Sequence, residues 1–111
     1  MLQPESKVDY LITWRGTEIG LLLVSNVDMW YLEGKWQSNG SVPAGEFETL
    51  AATFNARTVM GNPSTGTRVI LTHINGEEPT HALILSLSDD LIYIRRVFEQ
   101  KAVKWLIKNV R

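Results

Sequence analysis

The chain has 111 residues, 44% of them hydrophobic, with 11 basic residues against 12 acidic ones and no cysteine. That length suits a single domain, residues 1–111, able to bury a core without disulfides or metal, and the near-zero net charge gives no bulk attraction to nucleic acid or anionic lipid. The lack of cysteine removes disulfide frameworks, thiolate zinc sites and thiol nucleophiles together.

Met1 to Lys7 contains Pro4 and Glu5 and no apolar targeting core, and the longest apolar run, Ile19 to Val24, is far too short to span a bilayer. The expectation is a cytoplasmic protein with neither a membrane nor a nucleic-acid partner. Val8, Tyr10, Ile12 and Trp14 alternate with Asp9, Leu11 and Thr13, as a half-buried strand requires, and Arg15-Gly16-Thr17 has turn chemistry. Ile19 to Val24 is apolar on both faces, which predicts a central strand covered above and below. Ser25-Asn26 ends it. The segment Asp28-Met29-Trp30-Tyr31-Leu32-Glu33-Gly34-Lys35-Trp36 then holds two of the four tryptophans. At period two it predicts a strand with Trp30, Leu32, Gly34 and Trp36 turned to the core and Tyr31, Glu33 and Lys35 turned outward.

Ser38-Asn39-Gly40-Ser41 breaks the pattern, and Pro43 stands where a first-turn proline would. Phe47, Leu50, Ala51 and Phe54 follow at i, i+3, i+4 and i+7, predicting an amphipathic helix that stops near Arg57. Gly61 to Gly66 reads as an exposed loop. It lacks the Gly-Lys-Ser/Thr ending of a phosphate loop and leads into a strand. Thr67 to Ile74 and Thr80 to Leu87 predict a hairpin about Asn75-Gly76, with Glu77-Glu78-Pro79 lengthening its loop. Ser88-Asp89-Asp90 turns the chain into Leu91 to Arg95, and from about Phe98 the spacing is helical, with Ala102, Trp105, Leu106 and Asn109 on one stripe.

The order βββα thus occurs twice. A shift of 62 positions sets Asp28 on Asp90, Tyr31 on Tyr93 and Trp36 on Phe98, so residues 8–57 and 67–111 read as pseudo-repeats about a twofold axis. On that reading Tyr31 and Glu33 combine with Tyr93 and Arg95 in one surface or groove.

Chemistry-bearing patterns are sparse. The two histidines, His73 and His81, flank the Asn75-Gly76 turn with no HxH, HxxH or HExxH spacing, so no metal is expected. No Gly-x-Ser-x-Gly elbow is present. Glu77-Glu78 and Asp89-Asp90 are turn acids that share water, whereas general acid-base work needs two acids with divergent environments. No catalytic residue and no cofactor follow. The candidate binding residues are Tyr31, Glu33, Lys35, Tyr93 and Arg95, which combine aromatic and bidentate groups of the kind enriched at partner hot spots.

The segment from Asp28 to Trp36, followed by Pro43 and the helix from Phe47 to Phe54, resembles small bacterial proteins of unassigned function. In these, an acid and aromatics precede a glycine, another aromatic and a short amphipathic helix. The resemblance covers residues 28–57 and implies a bacterial origin, with no catalytic residue to carry over.

The expected fold is α+β: a mainly antiparallel sheet of about six strands in βββα-βββα order, with two amphipathic helices packed against it. Two helices cannot cover both faces of so wide a sheet, so some strand surface must be polar, closed on itself or buried by a second copy, and exposed Tyr31, Tyr93 and the edge strands make a homodimer the simplest arrangement. The expected function is that of a non-enzymatic interaction or regulatory protein, for example an immunity-type protein. The alternative is a small-molecule-binding domain or minor enzyme, with Tyr31, Glu33, Tyr93 and Arg95 lining a groove between the halves and Arg95 or Arg96 holding an anion.

Overall fold

The computed structural model describes residues 9–76 and 78–111; Val8 and Glu77 lie outside the described residues. The alternating runs form strands β1 (Asp9–Trp14), β2 (Thr17–Asp28), β3 (Tyr31–Ser38), β4 (Thr67–His73), β5 (Thr80–Ser88) and β6 (Leu91–Val97). The helices are α1 (Val42–Ala51), α2 (Ala56–Gly61) and α3 (Gln100–Asn109), with a 3-10 turn at Pro63–Thr65.

The sheet is not the open one the sequence suggested. It is a closed six-stranded barrel in the order β1-β2-β3-β6-β5-β4, and three helices accompany it, not two. Closure comes from β1 pairing antiparallel with β4, Tyr10 opposite His73 and Thr13 opposite Ile70. Bulges supply the curvature. The register slips between Val24 and Asn26 in β2 and between Ile84 and Ser86 in β5, and such insertions bend a strand and increase its twist. A closed barrel has no strand edges left to pair with another chain.

The internal correspondence runs at 60 positions, not 62. Met29 and Asp89, 60 apart, both take left-handed turn conformations, at φ 57 and φ 55. The bulged residues Ser25 and Leu85 stand in the same relation, as do Glu33 and Tyr93, which face each other across the β3-β6 ladder. The identical Asp28/Asp90 and Tyr31/Tyr93 pairs are therefore not equivalent positions. A strand pattern has period two, so a slip of two residues leaves every apolar side chain on its own face and is invisible to hydrophobicity.

The barrel interior holds Ile12, Trp14, Leu22, Leu32, Trp36, Leu71, Ile84, Ile92 and Ile94 among its buried residues. α1 enters this core with Ala44, Phe47 and Ala51, all fully buried. Its start is fixed by Ser41, whose side chain accepts a hydrogen bond from the Ala44 N–H at 3.2 Å, with proline in the first turn. Phe47 stands edge-on to Trp14 at 5.5 Å and tilted against Trp36 at 5.2 Å between ring centroids. The Trp36 indole N–H donates to the Glu48 carboxylate at 2.5 Å, so the same helix turn satisfies the polar atom of the ring it packs on. Glycine gives that ring its room: a Cβ on Gly20 would lie 2.9 Å from it, and one on Gly34 would collide with the Leu23 carbonyl oxygen.

A second cluster lies outside the barrel, joining Val59, Leu83, Leu85, Val97, Leu106 and Val110. The strand covered on both faces is accordingly β5, where Ala82 to Leu85 are all buried; β2 keeps Leu21 and Leu23 only half-buried. α2, which the sequence reading had merged into α1 and a loop, begins at Asn55, whose side chain accepts from the Thr58 N–H at 3.2 Å. Phe54 lies beyond the end of α1 and packs against both clusters. In α3 only Leu106 is buried, while Trp105 is 47% exposed, so the expected stripe is narrower. Trp30 sits in the β2-β3 turn, 40% exposed, and not in the core beside Trp14 and Trp36.

Truncating Phe47 removes the ring that both tryptophans pack on and opens a cavity at the centre of the barrel. Phe47→Ala is expected to lower unfolding free energy by about 3–5 kcal/mol in a denaturant titration. A loss below ~1 kcal/mol would show that α1 does not hold the barrel shut.

Candidate functional site

The β3-β6 ladder decides how the sequence-predicted residues meet. It sets Tyr31 opposite Arg95, Glu33 opposite Tyr93 and Lys35 opposite Leu91. Four of the five, Tyr31, Glu33, Tyr93 and Arg95, therefore form one patch on the outer barrel wall, and Lys35 lies exposed beyond it. The two tyrosine rings stack at 5.8 Å with 20° between their planes. Both are half-buried against the outer apolar cluster, so their rings belong partly to packing.

The concave part of the surface lies farther along β6. A cavity of about 310 Å³ is lined by Trp30, Arg95, Arg96, Val97, Phe98, Glu99 and Ala102. A second, of about 170 Å³, shares Arg95, Val97 and Ala102 and adds Pro63, Leu83, Trp105 and Leu106. Together they make a groove between the end of β6 and α3. Consecutive strand residues point to opposite faces, yet Arg95 and Arg96 reach one cavity because β6 ends at Val97 and the chain turns around Phe98 and Glu99 into α3.

Arg96 is the structural centre of this groove. Its backbone N–H donates to the Trp30 carbonyl at 2.7 Å and its Nη2 to the Met29 carbonyl at 2.5 Å, which clips the β2-β3 turn to β6. Its guanidinium lies 5.3 Å from the centroid of the Phe98 ring, within range of a cation-π contact. The Nε atoms of Arg95 and Arg96 are buried with no acceptor among the described residues, an arrangement that costs free energy unless an acceptor arrives. Met29, Trp30 and Phe98 are 68%, 40% and 60% exposed around them. Large exposed apolar side chains beside guanidinium groups are what a contact surface requires.

Of these residues, sequence reasoning found Arg95 and Arg96 and missed Trp30 and Phe98. Trp30 was assigned to the core by strand parity; the left-handed Met29 that takes it out of the strand has no signature as strong as glycine would have left.

The histidines are not brought together. His73 stands edge-on to Tyr10 at 5.7 Å and its Nδ1 accepts from the Asn75 N–H at 3.0 Å, whereas His81 pairs with Ile70 and Val97. Among the described residues no group of three or more His, Asp or Glu side chains is placed to hold a metal ion, and no helix is long and apolar enough to cross a membrane. Asp89 and Asp90 form the β5-β6 turn, and the Asp90 carbonyl accepts from the Trp36 N–H at 2.7 Å. No protein-family model, no curated protein and no solved structure matches the chain.

Burial raises the Tyr93 phenol above its ordinary value of 10.0, and Tyr31, Asp28 and Glu33 add to the shift by like charge. The folded state thus favours the neutral phenol, so this contribution to stability is complete below pH 10.0 and is lost as pH rises through the raised folded value. Ultraviolet titration should show a phenolate step above pH 10.0 that disappears in Tyr93→Phe and moves downward in Glu33→Gln. A step at or below the ordinary value would contradict the packing described for that ring.

Proposed function

We propose that the protein is a non-enzymatic interaction module whose recognition surface is the groove between β6 and α3. The occupant is a protein segment that presents a carboxylate next to an aromatic or aliphatic side chain. The observation that carries this reading is that the side chains of Arg95 and Arg96 line one cavity together with Trp30 and Phe98, which are 40% and 60% exposed. A carboxylate in the cavity forms charge-assisted bonds with the guanidinium groups that line it, while the apolar frame desolvates them. Glu99 contributes one acid to the wall, which favours a ligand group approaching from the Arg95 side. Tyr31 and Tyr93 form the floor that supports Arg95, and Lys35 adds a distant positive charge.

The small-molecule reading has its own support in the concavity at Arg95, although 310 Å³ is near the lower end of volumes that bury a drug-sized ligand. Glu33 does not line that cavity, where Glu99 is the acid beside Arg95 and Arg96.

A random peptide library displayed on phage and selected on the immobilised protein tests the interaction reading. Enriched peptides should pair Asp or Glu with an aromatic or aliphatic residue. Trp30→Ala, Phe98→Ala and Arg95→Ala should each weaken the best peptide by about tenfold or more, corresponding to ~1.4 kcal/mol. Lys35→Ala should leave it unchanged. Failure to enrich any peptide, or equal binding by the three groove variants, would overturn the proposal.

A further inference from the structure

We infer that Arg15, Arg68 and Arg111 form a second binding site, independent of the groove, for a small ligand carrying several phosphoryl groups. The three come from the β1-β2 turn, from β4 and from the segment after α3, and they line one cavity of about 480 Å³. Among the described residues no acidic side chain lines it. Gathering three guanidinium groups opposes their mutual repulsion, in a chain whose formal net charge is only −1. The fold nonetheless holds each of them there.

Arg15 is itself in the left-handed region at φ 52, ahead of Gly16 at φ 80, and its guanidinium lies over the Trp14 ring at 4.2 Å from the centroid. That ring cannot swing away, because its indole N–H donates at 2.9 Å to Thr67, a hydroxyl only 1% exposed. Thr67 in turn donates to the Arg111 carbonyl at 2.5 Å, and the Arg68 N–H donates to the same oxygen at 3.1 Å. Arg68 Nε donates to the Val110 carbonyl at 2.8 Å. The hydrogen bonds among Trp14, Thr67, Arg68 and the Arg111 carbonyl, together with the stacking of Arg15 on Trp14, therefore place all three residues.

The set also leaves the right donors over. With Nε occupied, Arg68 retains its two terminal NH₂ groups, and a stacked Arg15 retains its in-plane edge donors. Each planar fork pairs with two oxygens of a phosphoryl group. Three forks around one basin suit a chain of linked phosphoryl groups better than a single carboxylate. The chain as a whole carries a formal net charge of −1, without the bulk positive field that a nucleic acid backbone requires, which points to a small ligand.

Isothermal titration of the full chain with sodium tripolyphosphate at low ionic strength tests this. One equivalent should bind, and Arg15→Ala and Arg68→Lys should each weaken binding by about tenfold. Arg15 is exposed, so Arg15→Ala should melt at the wild-type temperature and separates loss of the site from loss of the fold. Arg95→Ala should bind as wild type, so this test and the peptide selection fail independently. The inference is overturned if tripolyphosphate does not bind, or if Lys104→Ala loses as much affinity as Arg15→Ala. It is also overturned if a single-stranded oligonucleotide binds more tightly than tripolyphosphate.

Discussion

A six-stranded barrel closes only if its interior is filled, and here the filling depends on one ring. Phe47 bridges Trp14 on β1 and Trp36 on β3, two strands that do not pair with each other. Side chains contributed by the strands do not complete this interior; α1 adds the remaining volume with Ala44, Phe47 and Ala51. The small residues at positions 44 and 51 let the helix approach closely, while the ring between them reaches the aromatic pair. Gly20 and Gly34 make the complementary concession on the strands, keeping backbone and indole at contact distance.

The consequences travel outward along the two tryptophans. Trp14 is oriented by Thr67, and its ring carries the guanidinium of Arg15 on the outside of the same turn. Trp36 fixes β3, whose backbone continues the ladder to β6, where Arg96 grips the Met29-Trp30 turn. Both proposed surfaces are therefore extensions of core contacts. Rigid elements of this kind hold a recognition group with less loss of conformational freedom on binding than a free loop would.

The two halves share strand order, bulge position and turn conformation, yet they differ in where their helices go. α1 enters the barrel, whereas α3 packs outside on β5 and β6 together with α2. Only α1 contributes side chains to the interior, and α3 lies on an outer wall. The groove exists because of that asymmetry. It lies along the wall that α3 partly covers, and its aromatic rim is Trp30, Phe98 and Trp105, all exposed.

Much of the local structure was legible in the residues themselves. All six strands, the first-turn proline and core stripe of α1 around Phe47, the inward Trp14 and Trp36 and the outward Tyr31, Glu33 and Lys35 follow from period two, period 3.6 and turn chemistry, because these depend on neighbours in the chain. Closure of the barrel does not: whether β1 meets β4 or stays an edge depends on accumulated twist and on three bulges, and neither Ser25 nor Leu85 announces itself as an inserted residue. The same holds for the 60-residue correspondence, which a two-residue slip imitates without moving one side chain to the other face. The candidate sites divide along the same line. Arg95 beside Tyr31 and Tyr93 was visible once strand parity was known, but the meeting of Arg15, Arg68 and Arg111, or of Trp30 with Phe98, is set by long-range pairing. Local sequence determines which way a side chain faces; only the closed ladder decides what it faces.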